Sequence, residues 1–132
     1  MDIEEVSRLT DIAFGKKFKQ CMLGEKSIIE YIKEFETNVD YELLKYILDP
    51  QYYNITFPII KETVDYIYQL KENGYNLYLL TNITDGSYAY INSILNINEL
   101  FDGGAYSFKE HVIKPDHNFY NILIQRYNLN KD

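Results

Sequence analysis

The chain has 132 residues, which suffice for one ordinary domain or for a small domain joined to part of another. Hydrophobic residues make up 46% of it, and the net charge of -7 argues against nucleic acid and anionic membranes as partners. Cys21 is the only cysteine, which excludes an internal disulfide and a thiolate zinc cluster. We see no secretory leader and no apolar run of membrane-spanning length. We therefore expect a cytoplasmic protein.

The first part of the chain is predicted to be a unit of short helices over residues 1–54. Asp2 is expected to cap the first helix, and Ser27 with Glu30 has the spacing of a capping box before a later one. Asp40 is expected to start a further helix. No stretch here has the pattern of a strand, so we predict a purely helical domain.

Beyond this unit, helices and strands are predicted to alternate. Pro58 is expected at the start of a helix, where its missing N–H costs nothing, and Asn73-Gly74 is expected to end that helix. The continuous apolar run from Leu77 to Leu80 indicates a parallel strand that is covered on both faces.

The remaining elements follow the same alternation. Asp85 or Gly86 is expected to open a helix, and a short strand is predicted from Ala105 to Phe108. Asp116 is expected to cap the last helix. The order is that of right-handed βαβ units, so we predict a helix-rich α/β fold with an incomplete Rossmann-like core over residues 55–132 and two recognisable parallel strands.

Polar side chains directly follow the first apolar strand. The Thr81 hydroxyl, together with N–H groups of the turn at Asn82, can hold a phosphate oxygen at the carboxyl edge of such a sheet. Lys114, one helix and one strand later, can add a positive charge. Each residue alone has a plainer interpretation, because Thr and Asn often end strands and most lysines are solvated. Their order on these elements favours a phosphate site.

Here the sequence resembles the haloacid dehalogenase (HAD) superfamily, and more narrowly its branch with a helical cap. The matching motifs are a helix ending in a Gly-Tyr pair, a strand ending in Ser/Thr-Asn, a Phe-Asp pair before a short strand, and Lys-Pro-Asp before a helix. They lie at Leu70–Tyr75, Leu80–Asn82, Phe101-Asp102 and Lys114–Asp116. The helical unit of residues 1–54 resembles the family's cap domain, so the resemblance covers nearly the whole chain.

The resemblance implies a hydrolase, most often a phosphatase that acts on a small phosphorylated metabolite through an aspartyl-phosphate and uses Mg²⁺. Thr81 would be the catalytic hydroxyl that binds the phosphoryl group, and Asn82 would support the same turn. Lys114 would be the catalytic lysine that balances charge on the phosphoryl group and the nucleophile. These three residues are also the predicted substrate-binding residues.

The sequence departs from the family at both ends of the expected site. The family's nucleophile is an aspartate in a D-x-D motif on its first strand, and its Mg²⁺ ligands lie on a fourth strand. Neither motif is present, and Asp85, Asp102 and Asp116 are isolated. The chain therefore looks truncated relative to the family, and we expect no turnover by this chain alone. A non-catalytic binding or assembly module and a dehalogenase-type fragment are the alternatives.

The departure has a consequence for the sheet. The family's first strand would lie beside the strand at Leu77–Leu80, and without it that strand has an unpaired apolar edge. We expect a second copy of the chain, an exchanged element or a helix to cover this edge.

Overall fold

The computed structural model describes residues 2–130. The first half of the chain forms helices α1 (Ile3–Phe14), α2 (Lys19–Met22), α3 (Ile28–Lys33), α4 (Tyr41–Leu48) and α5 (Tyr53–Thr56), with 3₁₀ turns at Lys16–Phe18 and Pro50–Tyr52. The second half forms α6 (Lys61–Glu72), β1 (Tyr78–Thr81), α7 (Asp85–Leu95), α8 (Ile97–Leu100), β2 (Gly103–Tyr106), α9 (Ser107–Glu110) and α10 (His117–Tyr127).

The two strands lie side by side and run parallel, with Tyr78 paired to Gly103 and Thr81 to Tyr106. The prediction of a helix-rich α/β fold with two parallel strands is confirmed. The predicted second strand was wrong in its bounds, since β2 begins two residues before Ala105 and ends before Ser107. The chain turns there because the Ser107 side chain bonds to Ile83, beyond the end of β1, and Ser107 starts α9.

The helices before residue 54 pack around a common apolar cluster. Its buried members are Leu9, Ala13, Cys21, Ile28, Tyr31, Ile32, Leu44 and Leu48. Asp2 caps α1, and the capping box of Ser27 and Glu30 opens α3, both as predicted. Asp40 precedes α4 but its carboxylate makes no cap bond, because it pairs with Arg8 at 2.6 Å instead. A domain boundary at about residue 54 stays a prediction.

The prediction that Pro58 starts a helix is wrong. The chain stays extended through Ile60, whose φ is -83° and ψ 103°, and α6 begins only at Lys61. This extended stretch places Pro58, Ile59 and Ile60 along a groove beside β1. The prediction that Asn73-Gly74 ends the helix is confirmed, since Gly74 adopts a φ of 83° directly after it.

The groove shows that β1 is less covered than its apolar sequence predicts. Its cavity of about 570 Å³ is lined by residues of α6, α7, α8 and both strands, including Val64, Leu79 and Ile91. All four residues of β1 are only half-buried, whereas Gly104 and Ala105 of β2 are buried. No residue of α6 is buried. The expectation of a strand covered on both faces is therefore wrong for the described chain.

In residues 2–130, no helix is both long enough and apolar enough to cross a membrane.

Candidate phosphate-binding site

Thr81 is the last residue of β1 and lies at the carboxyl end of the sheet. α7 begins close by at Asp85, and the buried Thr84 caps it by accepting a hydrogen bond from Ser87 N at 3.2 Å. The Thr81 hydroxyl lies 3.5 Å from Asn82 O, which is too long for a strong O–H···O bond. Thr81 lines the groove, and this long contact is the one hydrogen bond that its hydroxyl makes among the described residues.

The Asn82 side chain joins the turn to the loop before α10. Its Oδ1 accepts from Lys114 N at 2.8 Å, and its Nδ2 donates to Lys114 O at 3.2 Å. A carboxamide offers one acceptor and two donors, so a single side chain can satisfy both backbone groups of one residue. Asn82 thus fixes Lys114 beside the end of β1.

The Lys114 side chain lies along the edge of β1. Its Nζ donates to Leu80 O at 3.0 Å, one residue before Thr81. Among the described residues, no carboxylate forms a salt bridge with this ammonium group. Its positive charge therefore lies at the carboxyl edge without a protein counter-charge, which is the local condition that an anion site requires in a chain of net charge -7.

The structure therefore brings together the three residues that the sequence analysis selected. Asn82 contacts Lys114 directly, Lys114 reaches the residue before Thr81, and Thr81 and Asn82 line the same groove. Their catalytic and binding roles stay predictions, because the geometry establishes only their proximity.

Ser107 is a residue of this edge that the sequence analysis did not select. Its fully buried Oγ accepts from Ile83 N at 2.9 Å and donates to Ile83 O at 3.1 Å. It therefore fixes the residue that follows Asn82, as Asn82 fixes Lys114. The signal in the sequence is a small hydroxyl residue directly after a strand, but its partner is 24 positions away and cannot be read from the sequence.

Two further contacts join the N-terminal helices to this edge. Asp85 Oδ1 accepts from Ile28 N at 3.0 Å, at the first turn of α3. His111 Nδ1 lies 2.7 Å from Leu23 O. Both partners belong to the helical unit of residues 1–54, so the loop that connects α2 to α3 is held against the carboxyl edge of the sheet.

The described carboxylates do not fit a Mg²⁺ site. Magnesium prefers an octahedral shell of oxygens anchored by carboxylates. Asp85 is bonded to Ile28 N, Asp116 caps α10 as predicted, and Asp102 bonds to Leu77 N before the start of β1. No group of at least three metal-ligating side chains is present in residues 2–130. No magnesium-dependent step therefore follows from these residues.

A comparison with protein families identifies the family of this chain. The sequence profile of haloacid dehalogenase-like hydrolases matches residues 4–132. The chain belongs to this family. The family prediction is thereby confirmed, and the HAD-like hydrolase has the partial Rossmann-like core that the resemblance implied. No curated protein matches the chain.

A solved structure shows the same fold. The chain is similar to a HAD family enzyme from Bacteroides thetaiotaomicron, with a TM-score of 0.64 and 16% sequence identity. The match covers 97% of this chain but 64% of that enzyme. At this identity the likeness concerns the fold alone.

Proposed function

We propose that this HAD-like hydrolase binds the phosphoryl group of a small phosphorylated metabolite between the Thr81 hydroxyl and the Lys114 ammonium. The observation that supports the proposal is the pair of hydrogen bonds by which Asn82 holds Lys114 next to the end of β1. A fixed cation and a free hydroxyl at the carboxyl edge of parallel strands are the groups that recognise a phosphate oxygen.

In the proposed complex, Lys114 Nζ leaves Leu80 O and donates to the phosphoryl oxygens. The ammonium bonds to a neutral carbonyl in the free chain and to an anionic oxygen in the complex, so the exchange adds the attraction between two opposite charges. Thr81 donates its hydroxyl to the same group. Asn82 stays bonded to the backbone of Lys114 and therefore positions the lysine rather than the ligand.

We further propose that this chain alone binds phosphate without hydrolysing phosphomonoesters. Phosphoryl transfer to an aspartate requires a carboxylate beside the bound phosphoryl group. Asp85 is the described carboxylate nearest in sequence to Thr81, and its Oδ1 already accepts a hydrogen bond from Ile28 N. In the complete enzymes of the family the nucleophile would come from a segment with the D-x-D motif, which these residues do not contain.

The binding proposal is tested by titrating inorganic phosphate into the ¹⁵N-labelled chain and following amide shifts by NMR. We expect the shifts to cluster at Thr81, Asn82 and Lys114. Thr81→Val and Lys114→Gln should each abolish them, whereas Lys33→Gln, which removes a lysine of α3, should not. Sodium chloride at matched ionic strength is the control for non-specific effects. Scattered shifts that survive both substitutions would contradict the proposal.

Turnover is tested separately with p-nitrophenyl phosphate and Mg²⁺. We expect no hydrolysis above the rate of the Lys114→Gln variant. Hydrolysis by the wild-type chain that Lys114→Gln abolishes would show that a nucleophile is present after all. If phosphate fails to bind and hydrolysis is absent, the alternative of a non-catalytic module derived from the family is favoured.

A further inference from the structure

The helical unit of residues 1–54 forms one wall of the groove that contains Thr81. The residues on this wall come from the end of α1, the 3₁₀ turn after it and the end of α2, and they are Phe14, Phe18 and Met22. The next residue, Leu23, is held at its carbonyl oxygen by His111, shortly after the end of β2. This wall therefore meets the groove at the carboxyl end of the sheet, where the proposed phosphate site lies.

The wall is aromatic and is anchored to the buried cluster of the helical unit. Gly15 lets the chain turn sharply after α1, since a Cβ there would clash with the carbonyl oxygen of Asp11. The turn brings the rings of Phe14 and Phe18 into edge-to-face contact, with centroids 5.2 Å apart, and Phe18 packs on the buried Tyr31 at 5.8 Å. Phe14 is nevertheless 40% exposed. A ring that is held in place and still exposed in a concave surface offers contact area to an apolar ligand.

The polar side chains of the groove are largely bonded to the chain itself. Asn82 bonds to the backbone of the loop before α10, the Tyr53 hydroxyl donates to Leu48 O at 2.9 Å, and Thr84 Oγ1 donates to Ser87 Oγ at 3.1 Å. None of the described lining residues is charged. A sugar hydroxyl or a carboxylate that entered the groove would lose water without gaining a partner from these groups, which costs free energy. An apolar group would gain from the same burial.

We propose that the phosphorylated ligand carries an aromatic organic group, which lies against Phe14, Phe18 and Met22 while Thr81 and Lys114 hold its phosphoryl group. The inference rests on the proposed phosphate site and names the class of compound bound there, an aromatic phosphomonoester rather than a sugar phosphate or a phosphorylated acid. The cavity of about 570 Å³ is large enough for such a group. A ring can pack edge-to-face on the two phenylalanines and contact the thioether sulfur.

The first test compares phenylphosphonate with methylphosphonate by NMR titration of the chain. Both carry the same anionic group, and their C–P bond is not an ester that a phosphatase could hydrolyse. We expect phenylphosphonate to bind about tenfold more tightly or better, because its ring is removed from water. Glucose 6-phosphate, which places a polar ring on the same kind of anion, should bind no more tightly than methylphosphonate.

A substitution tests the aromatic wall. Phe14→Ala should lower the ratio of the phenylphosphonate to the methylphosphonate affinity about threefold or more, since it removes part of the apolar contact area. Tyr120→Ala is the matched control, because Tyr120 is 41% exposed but lies on α10 and does not line the groove. This control should leave the ratio unchanged. Circular dichroism checks that both variants fold.

The position of the ring is tested without any substitution. Met22 is one of two methionines in the chain, so its methyl group is readily observed after ¹³C labelling of methionine. We expect nuclear Overhauser effects between this methyl group and the protons of phenylphosphonate. The same ligand should shift the amides of Thr81 and Lys114.

The outcomes separate this inference from the proposed function. If both phosphonates shift Thr81 and Lys114 with equal affinity, or if the ring gives no Overhauser effect at Met22, the aromatic class is overturned and the phosphate site stands. If neither phosphonate shifts Thr81 and Lys114, or if Lys114→Gln leaves their affinities unchanged, the phosphate site is overturned and this inference with it.

Discussion

Asn82 and Lys114 lie 32 residues apart in sequence, yet the Asn82 carboxamide bonds to both the N–H and the C=O of Lys114. The turn after β1 and the loop before α10 are therefore joined through one side chain. This relationship connects the stability of the carboxyl edge to the position of Lys114 at the proposed phosphate site.

Replacing Asn82 should lower the stability of the carboxyl edge and loosen the position of Lys114. Asn82→Ala leaves the two partly buried backbone groups of Lys114 without partners, and we expect a loss of roughly 1–3 kcal/mol in the free energy of unfolding. Asn82→Asp keeps an acceptor for Lys114 N but loses the donor, so its loss should be smaller. Urea unfolding measures both. Asn54→Ala, an exposed asparagine in α5, is the control and should change stability by less than about 0.5 kcal/mol. Wild-type stability of Asn82→Ala would show that the pair is incidental.

Gly24 and Gly74 form a second comparison. Both have positive φ, 70° and 83°, which a side chain adopts at a cost of roughly 1–2 kcal/mol. A Cβ at Gly24 would clash with the carbonyl oxygen of Phe108, whereas a Cβ at Gly74 would meet nothing within 4 Å. Gly24→Ala must therefore also push the loop after α2 away from α9.

We expect Gly24→Ala to lower the free energy of unfolding by about 1–3 kcal/mol more than Gly74→Ala does. Thermal or urea unfolding of the two variants measures the difference. Hydrogen exchange should also quicken at Ile28 N in Gly24→Ala, because its bond to Asp85 depends on the same loop. Equal stabilities of the two variants would mean that the loop relaxes without cost.

Local signals in the sequence predicted much of this fold correctly. The caps at Asp2, Ser27 and Asp116 and the stop at Gly74 were confirmed, because each depends on a side chain and backbone groups only a few residues apart. Asp40 also directly precedes α4, as predicted, but its carboxylate bonds to Arg8 and makes no cap bond. That tertiary partner lies 32 residues away and is not visible in the local sequence.

The candidate site was predictable only in part, for a related reason. Thr81, Asn82 and Lys114 could be selected from the order of elements, since the carboxyl ends of parallel strands meet at one edge. The contacts of Ser107 with Ile83 and of Asp85 with Ile28 depend on how distant segments pack. No periodicity or spacing in the sequence encodes them. The open groove beside β1 was likewise hidden, because an apolar run looks the same whether or not it is covered.

Asp102 should make stability depend on acid pH. Its carboxylate accepts from Leu77 N at 2.7 Å and from Lys71 Nζ at 3.0 Å, and these bonds, the first above all, lower its pKa in the folded chain. A carboxyl with a lowered folded pKa stabilises the fold above its unfolded pKa of about 3.9, and the contribution is lost as pH falls through the folded value.

We therefore expect Asp102→Asn to be less stable than the wild type at neutral pH, and the gap to close as the pH falls below about 4. Urea midpoints over a pH series measure this. Lys71→Met keeps the hydrogen bond from Leu77 N to Asp102. Its loss of stability at neutral pH should therefore have the same sign as that of Asp102→Asn but be smaller. A gap that stays constant down to the lowest accessible pH would exclude a titrating Asp102.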